Sequence, residues 1–152
     1  MANLIQGSRA ANQLSARETG DTVEGLAGND ILSSGTTALT GVYLFGGDGN
    51  DTLIAKPTDA LIDGGAGTDT VRFAAAVTAA LLGDADLESV ENVVLTNTEA
   101  AAYDFGSQSE SLNITGTRVV DSITGGAGND TITGGLGADS LYGHDGDDVL
   151  VA

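Results

Sequence analysis

Large aliphatic residues do not gather into runs in this chain; they return singly, between small or polar neighbours, at intervals of nine. Ile5, Leu14, Val23 and Leu32 open the series, Leu53 and Val71 continue it, and Ile123, Ile132, Leu141 and Leu150 complete it. A triplet with one large aliphatic at its centre reads as a very short strand with a single inward side chain. The six residues between triplets are dominated by glycine and aspartate, which permit positive φ and close backbone approach, so each triplet is followed by a chain reversal. Two such units make one coil of about eighteen residues, and coils stacked at about 4.8 Å pair their strands in parallel. The pattern predicts an all-β fold, a right-handed parallel β-roll or β-helix solenoid, with the ten aliphatics stacked into its core.

The clearest copies of the unit are GGDGNDTLI (46–54), GGAGTDTVR (64–72), GGAGNDTIT (125–133) and GGLGADSLY (134–142). GLAGNDILS (25–33) and GHDGDDVLV (143–151) depart only at the second position. Weaker copies keep the phase: GTRVVDSIT (116–124) retains Asp121, ARETGDTVE (16–24) retains Asp21, and GSRAANQLS (7–15) puts Asn12 in place of the aspartate. Asn3 and Ile5 already fall on the sixth and eighth positions, so the repeat is expected to start at once, with no leader before it.

In such a stack each turn lies over the turn two units away, and sixth-position aspartates on one side face each other. The turns also direct main-chain carbonyls into the gap. Carboxylate and carbonyl oxygens together form the hard, roughly six-coordinate shell that Ca2+ prefers. Register gives the pairs Asp30 with Asp51, Asp51 with Asp69, and Asp130 with Asp148, and a weaker pair, Asp121 with Asp139, whose lower turn has lost two glycines and carries Arg118.

The motif G-G-x-G-x-D-x-U-x resembles that of the RTX, or haemolysin-type calcium-binding repeat, family over most of residues 3–72 and 116–151. The resemblance implies several Ca2+ ions lying between adjacent coils, held by these aspartates and by the carbonyls of glycine turns. Those glycines are Gly25, Gly28, Gly46, Gly47, Gly49, Gly64, Gly65, Gly67, Gly125, Gly126, Gly128, Gly134, Gly135, Gly137, Gly143 and Gly146.

The chain is expected to form one solenoid over 1–152, with RTX-like coils in 1–72, metal-free β-helix coils in 73–115 and RTX coils again in 116–152. The step from Asp30 to Asp51 exceeds the repeat by three residues, which predicts a bulged turn in SGTTALTGVYLF on the opposite side. In the middle segment ENVVLTN and SLNIT read as strands, whereas AAAVTAALLGDADLESV also suits a short helix, with Asp84 to Asp86 capping the residues after them.

Composition narrows the function. There are 22 acidic residues against 5 basic ones, a formal charge of -17, and no basic patch to displace counterions from phosphates, so nucleic acid is excluded as a partner. Absence of cysteine removes disulfides, zinc thiolates and thiol nucleophiles. No apolar run is long enough for membrane insertion, and MANLIQGSRAANQ lacks the apolar stretch of a cleaved signal peptide. Glycine turns without a following Lys-Ser or Lys-Thr do not cradle phosphate, and D48-G49-N50-D51 runs into a strand, unlike an EF-hand loop.

His144 has neither a base partner nor a nucleophile and reads as a solvated turn residue, so the chain is not expected to be an enzyme. Asp48, Asp145 and Asp147 are expected to point to solvent, and Asp63 to stand behind the metal ligands. Tyr43, Phe45, Phe73, Tyr103, Phe105 and Tyr142 are expected at edges or caps.

The leading expectation is a calcium-dependent extracellular or cell-surface structural protein that folds on Ca2+ and stacks end to end with copies of itself into a fibre or surface layer. Bare coil edges at Asn3 to Gln6 and at GHDGDDVLV motivate this. The alternative is a folding and secretion module of a type I-secreted toxin or hydrolase, the family's usual export route, to which the ending DDVLVA is similar. A calcium buffer or adhesin fragment is a third option.

Overall fold

A computed structural model describes residues 1–36, 38–77 and 83–152. Among the described residues every strand pairing is parallel and there is no α-helix. One wall is an eight-stranded sheet of β2 (Gln13–Ser15), β4 (Ile31–Ser33), β6 (Thr52–Ala55), β8 (Thr70–Phe73), β10 (Asn92–Leu95), β12 (Asn113–Thr115), β14 (Thr131–Thr133) and β16 (Val149–Val151). The facing wall has a five-stranded part, β1 (Leu4–Ser8), β3 (Thr22–Ala27), β5 (Tyr43–Asp48), β7 (Leu61–Ala66) and β9 (Leu87–Glu88). Its three-stranded continuation is β11 (Ala101–Asp104), β13 (Asp121–Thr124) and β15 (Ser140–Tyr142), preceded by a parallel bridge from Val77 to Tyr103. The chain therefore alternates between walls, one strand at a time, as the solenoid reading requires.

The inward residues stack in register. On the eight-stranded wall Leu14, Leu32, Leu53, Val71, Val93, Ile114, Ile132 and Leu150 are aligned, and on the other Ile5, Val23, Leu44, Ile62 and Leu87. Of the ten predicted core aliphatics, Val23, Leu32, Leu53, Val71, Ile123 and Ile132 are fully buried, while Ile5, Leu14 and Leu141 are partly so and Leu150 is 46% exposed. Burial thus fades toward both end coils, which have a neighbour on one side only.

The middle coils differ. The register step is 18 residues from Leu53 to Val71 but 22 from Val71 to Val93 and 25 from Ile62 to Leu87. Longer coils enclose a wider interior, and large side chains fill it. Phe73, Tyr103 and Phe105 are fully buried, the two phenylalanine rings 6.3 Å apart between centroids. Their expected place at an edge or cap is therefore corrected: they are the core where two facing aliphatics would not meet. Tyr43 and Tyr142 are exposed, and Phe45 is intermediate.

Of the segment AAAVTAALLGDADLESV, residues 78–82 lie outside the described residues, so its helical alternative does too. Beyond them the chain forms a 3-10 turn at Asp84–Asp86, in which the Gly83 N–H donates to Asp86 Oδ2 at 2.8 Å. Leu87–Glu88 then rejoins the wall beside Ile62–Asp63, and the strand-like runs ENVVLTN and SLNIT form β10 and β12.

The three-residue excess before Asp51 falls between β4 and β5, while the strands on either side keep their register. Lys56 pins this bulge: its ammonium donates to the Ser34 carbonyl at 2.8 Å and the Thr36 carbonyl at 2.9 Å. The Lys56 N–H donates to Asp59 Oδ2 at 2.8 Å, closing the turn of the next coil beneath it.

Because Phe73 fills the widened interior and has no room to be replaced by solvent, Phe73→Ala should cost ~3–5 kcal/mol. Urea unfolding in excess Ca2+ measures this, and Tyr142→Ala, at a 58% exposed position, should change stability by no more than ~0.5 kcal/mol. Equal, small effects for the two would show that the middle coils are not packed as described.

Candidate metal centre

The turns that lead from β3 to β4, from β5 to β6 and from β7 to β8 lie over one another along one edge of the solenoid. Each carries a sixth-position aspartate that is almost wholly removed from solvent: Asp30 is 1% exposed, Asp51 1% and Asp69 0%. Burying carboxylates in a chain of -17 formal charge is costly unless their oxygens are satisfied.

One oxygen of each is satisfied by a ladder. The Asp30 N–H donates to Asp51 Oδ1 at 2.7 Å, and the Asp51 N–H to Asp69 Oδ1 at 2.7 Å. On the opposite edge the Asp121 N–H reaches Asp139 Oδ1 at 2.9 Å, and among the later turns of the first edge the Asp130 N–H reaches Asp148 Oδ1 at 2.9 Å. All four pairs expected from register are therefore in direct contact through this bond. In these turns the N–H of the sixth residue is satisfied by the aspartate of the following coil.

The other oxygen separates the turns into two kinds. Oδ2 of Asp30, Asp51 and Asp69 is buried and has no hydrogen-bond partner. A Cβ placed on Gly25 would collide with Asp30 Oδ2 and the Gly46 carbonyl, and one on Gly46 with Asp51 Oδ2 and the Gly64 carbonyl. The space that glycine leaves empty at the first position is thus lined by a bare carboxylate oxygen and a carbonyl of the next coil. These turns are wound with positive φ at the second and fourth positions: 105° and 134° at Gly47 and Gly49, 93° and 149° at Gly65 and Gly67. Leu26, with φ 80°, adopts the same form without being glycine, as does His144 with φ 82°.

In the second kind the carboxylate is closed onto its own turn. Asp130 Oδ2 accepts the Gly126 N–H at 2.7 Å, and Asp121 Oδ2 accepts the Thr117 N–H at 2.8 Å and hydroxyl at 2.7 Å. Asp21 Oδ2 accepts the N–H groups of Arg17 at 2.9 Å and Glu18 at 2.8 Å, and Asn12 Oδ1 accepts that of Ser8 at 2.6 Å. Gly126 and Gly128 are absent from the positive-φ residues although GGAGND matches the motif fully. The coil beneath explains this: the Ala127 N–H donates to the Gln108 carbonyl at 2.8 Å, and a Cβ on Gly126 would strike that same carbonyl. Gln108 belongs to a connection without the glycine turn that underlies Gly47 and Gly65.

A second ladder, absent from the sequence reading, runs through the fifth position in the reverse direction. The Asn50 N–H donates to Asn29 Oδ1 at 3.1 Å, the Thr68 N–H to Asn50 Oδ1 at 3.1 Å, and the Asp147 N–H to Asn129 Oδ1 at 2.8 Å. The recurrence of Asn before Asp in three copies is its signal. Asp48, Asp145, Asp147 and His144 are exposed, as expected of outward turn residues. Asp63 is partly buried, with Oδ1 lacking a partner.

Oxygen is the only donor element around the open turns. Among the described residues no three acidic or histidine side chains converge as a metal cage, so any ion must draw on single carboxylates and carbonyls from successive coils. That donor set suits Ca2+, a hard cation with six to eight oxygen ligands in flexible geometry, and a cation there would satisfy the bare Oδ2 atoms. Asp30, Asp51 and Asp69, with the carbonyls of Gly46 and Gly64, are the groups that fit it.

Electrostatics agree with the two kinds of turn. Burial, reinforced by the charge of Asp30, pushes the Asp51 carboxyl above the ordinary value of 3.8, and burial does the same for Asp69, helped by Asp51, Glu91 and Asp63. The closed Asp21 is lowered to about 2, chiefly by the Arg17 N–H and further by those of Asn3 and Glu18. For Asp51 and Asp69 the metal-free folded state binds more protons than the unfolded chain between the ordinary and the raised value, so its stability rises as pH falls through that window. Asp21 acts oppositely, but only below its ordinary value, as pH falls toward about 2. In metal-stripped buffer the far-UV circular dichroism should therefore show more β-structure at about pH 4.5 than at about pH 7.5. A signal that weakens on acidification would contradict the burial of unpaired carboxylates.

The family model described as the RTX calcium-binding nonapeptide repeat matches in 4 copies over residues 2–36, 45–75 and 115–150. No curated protein matches the chain. The repeat is a structural calcium-binding element, and several copies imply several Ca2+ ions, which is what the stacked, oxygen-lined turns accommodate. With the motif matched over more than half of its length and the parallel solenoid that this motif builds, the chain belongs to the RTX calcium-binding nonapeptide repeat family.

Proposed function

We propose that this protein is a calcium-dependent extracellular structural component, which folds on Ca2+ through the open turns at Asp30, Asp51 and Asp69 and assembles end to end with copies of itself. The observation that carries the folding half is the column of buried carboxylate oxygens without partners. Without an ion these groups oppose folding, and the short strands give each coil only one or two buried aliphatics to offset chain entropy. Ions that bind only the folded coils add their binding free energy to its stability. Sites of the weaker extracellular class, about 10⁻⁴ to 10⁻³ M, leave the chain loose where calcium is scarce and fold it where calcium is abundant. No helix of the described residues is long and apolar enough to cross a membrane. Asp121, Asp130, Asp139 and Asp148 are further ligands in this reading, and the closed turns at Asp121 and Asp130 would exchange an N–H for the ion.

Assembly rests on β16. Val149, Leu150 and Val151 are 55%, 46% and 48% exposed, an apolar strand with one free edge. The Val149 N–H donates to the Asp130 carbonyl and the Val151 carbonyl accepts from the Gly134 N–H, both at 2.8 Å, so alternation along a parallel strand leaves the groups of Leu150 for a coil on the other side. A first coil of another copy offers the matching triplet Gln13-Leu14-Ser15, and its Asn12 stands at the position that would cover Asp148. The second reading, a folding module of a type I-secreted toxin or hydrolase, draws on the export route typical of the family.

Circular dichroism during calcium titration of the metal-stripped chain should show cooperative gain of β-structure in the millimolar range. Full β signal in excess chelator at neutral pH would rule out calcium-switched folding. For assembly, Leu150→Pro removes the free N–H and leaves the bonds to β14 intact. Light scattering in millimolar Ca2+ should show growing particles for the unaltered protein and monomers for the variant; a stable monomer of the unaltered protein at high concentration would defeat the stacking idea.

A further inference from the structure

The connection between β9 and β10 is only three residues long, Ser89-Val90-Glu91, and contains neither glycine nor aspartate. It nevertheless lies directly over the 64–69 turn, because Thr70 is in register with Asn92 and Asp69 therefore with Glu91. The ladder continues through it: the Asp69 N–H donates to Glu91 Oε2 at 2.7 Å, as the Asp51 N–H does to Asp69. The extra methylene of glutamate spans what the missing turn residues would otherwise bring closer.

The carbonyl lining continues as well. A Cβ on Gly64 would collide with the Ser89 carbonyl and approach Asp69 Oδ2 to 2.8 Å, so Ser89 stands to Gly64 as Gly64 stands to Gly46. Ser89 has φ 51°, a left-handed conformation uncommon for serine. Asp69 itself is 0% exposed, and its Oδ2 faces this gap without a partner. Asp63 Oδ1, also buried, has none either, and no ion pair to Asp63, Asp69 or Glu91 is formed among the described residues.

We propose that the metal column extends one interval beyond the last glycine-aspartate turn, with a divalent cation held between the 64–69 turn and Ser89-Val90-Glu91 by Asp69 Oδ2, the Ser89 carbonyl and the Glu91 carboxylate. This rests on the calcium reading of the open turns. It assigns metal-binding residues to a segment that carries no repeat motif and was expected to be metal-free. It also gives the wide middle coils an anchor: the ion would tie β9 and β10 to the last coil of the N-terminal repeats.

Two measurements on the full chain test it. Calorimetric calcium titration should count one ion fewer per chain for Glu91→Gln than for the unaltered protein, with the other affinities within about twofold, whereas Glu99→Gln, at an exposed turn position, should change neither. Substoichiometric Mn2+ added to the Ca2+-loaded, 15N-labelled unaltered protein should broaden the backbone amide signals of Ser89, Val90 and Glu91 together with those of Asp51 and Asp69. This readout needs no variant and stands even if Glu91→Gln fails to fold. Equal ion counts for Glu91→Gln and the unaltered chain, or broadening confined to residues 25–69, would overturn this site and leave the calcium reading intact. No uptake of calcium by the unaltered chain would overturn both.

Discussion

A column of carboxylates held out of water, at Asp30, Asp51 and Asp69, is the constraint around which this solenoid is arranged. Along the ladder each sixth-position aspartate is placed where the preceding coil needs an acceptor, and the shape of the turn decides whether its second oxygen is also satisfied. Where the turn closes on itself, as at Asp21, both oxygens are taken up by N–H groups and the carboxylate acts as an ordinary turn acceptor; at Asp121 the closed turn satisfies Oδ2 and leaves Oδ1 bare. Where positive φ at the second and fourth positions opens the turn, as at Asp51 and Asp69, the oxygen is left bare among carbonyls. The aliphatic ladder inside fixes coil spacing; the carboxylates outside make that spacing conditional on a cation.

The division between open and closed turns does not track motif quality. GLAGND, with leucine in the second position, is open, and GGAGND at 125–130 is closed. What differs is the neighbour. Stacked glycine turns hand the same winding from coil to coil, so that Leu26 adopts φ 80° above Gly47, while Gly126 lies on the Gln108 carbonyl and takes a different path. Turn conformation here is a property of the column, set by backbone packing between coils and only loosely by the residues of one turn.

Much of the solenoid is legible in the sequence because a period of nine is a direct imprint of strand, turn, strand, turn. The inward triplets, the facing aspartates and the bulge before Asp51 all come from counting. Counting fails where insertions change the step but the ladder survives. Leu44, Ile62 and Leu87 continue the column of Val23, yet Leu44 and Ile62, nine residues before and after Leu53, follow no glycine-aspartate turn and Leu87 is off the period altogether, and Phe73, Tyr103 and Phe105 look peripheral in the sequence since nothing in a local pattern reports that a coil has widened. Glu91 escapes for the same reason. Its role is carried by register with Asp69, and neither its residue type nor its surroundings matches the motif. Asp130 illustrates the opposite limit: an intact motif does not encode the conformation that a neighbouring connection imposes.

The two hydrogen-bond ladders along the turns are not equivalent in depth. The asparagine ladder lies at the surface and links each coil to its predecessor, while the aspartate ladder is buried and leaves the N–H of one coil to be satisfied by the carboxylate of the coil after it in the chain. Loss of a later coil exposes an unpaired donor in the one before; loss of an earlier coil removes a donor from a carboxylate that water can then reach. The solenoid is therefore directional, each turn being completed from its C-terminal side. A chain emerging N-terminus first would hold each coil provisional until the next had arrived, so order would trail synthesis or export by one coil and fraying would start from the C-terminal side.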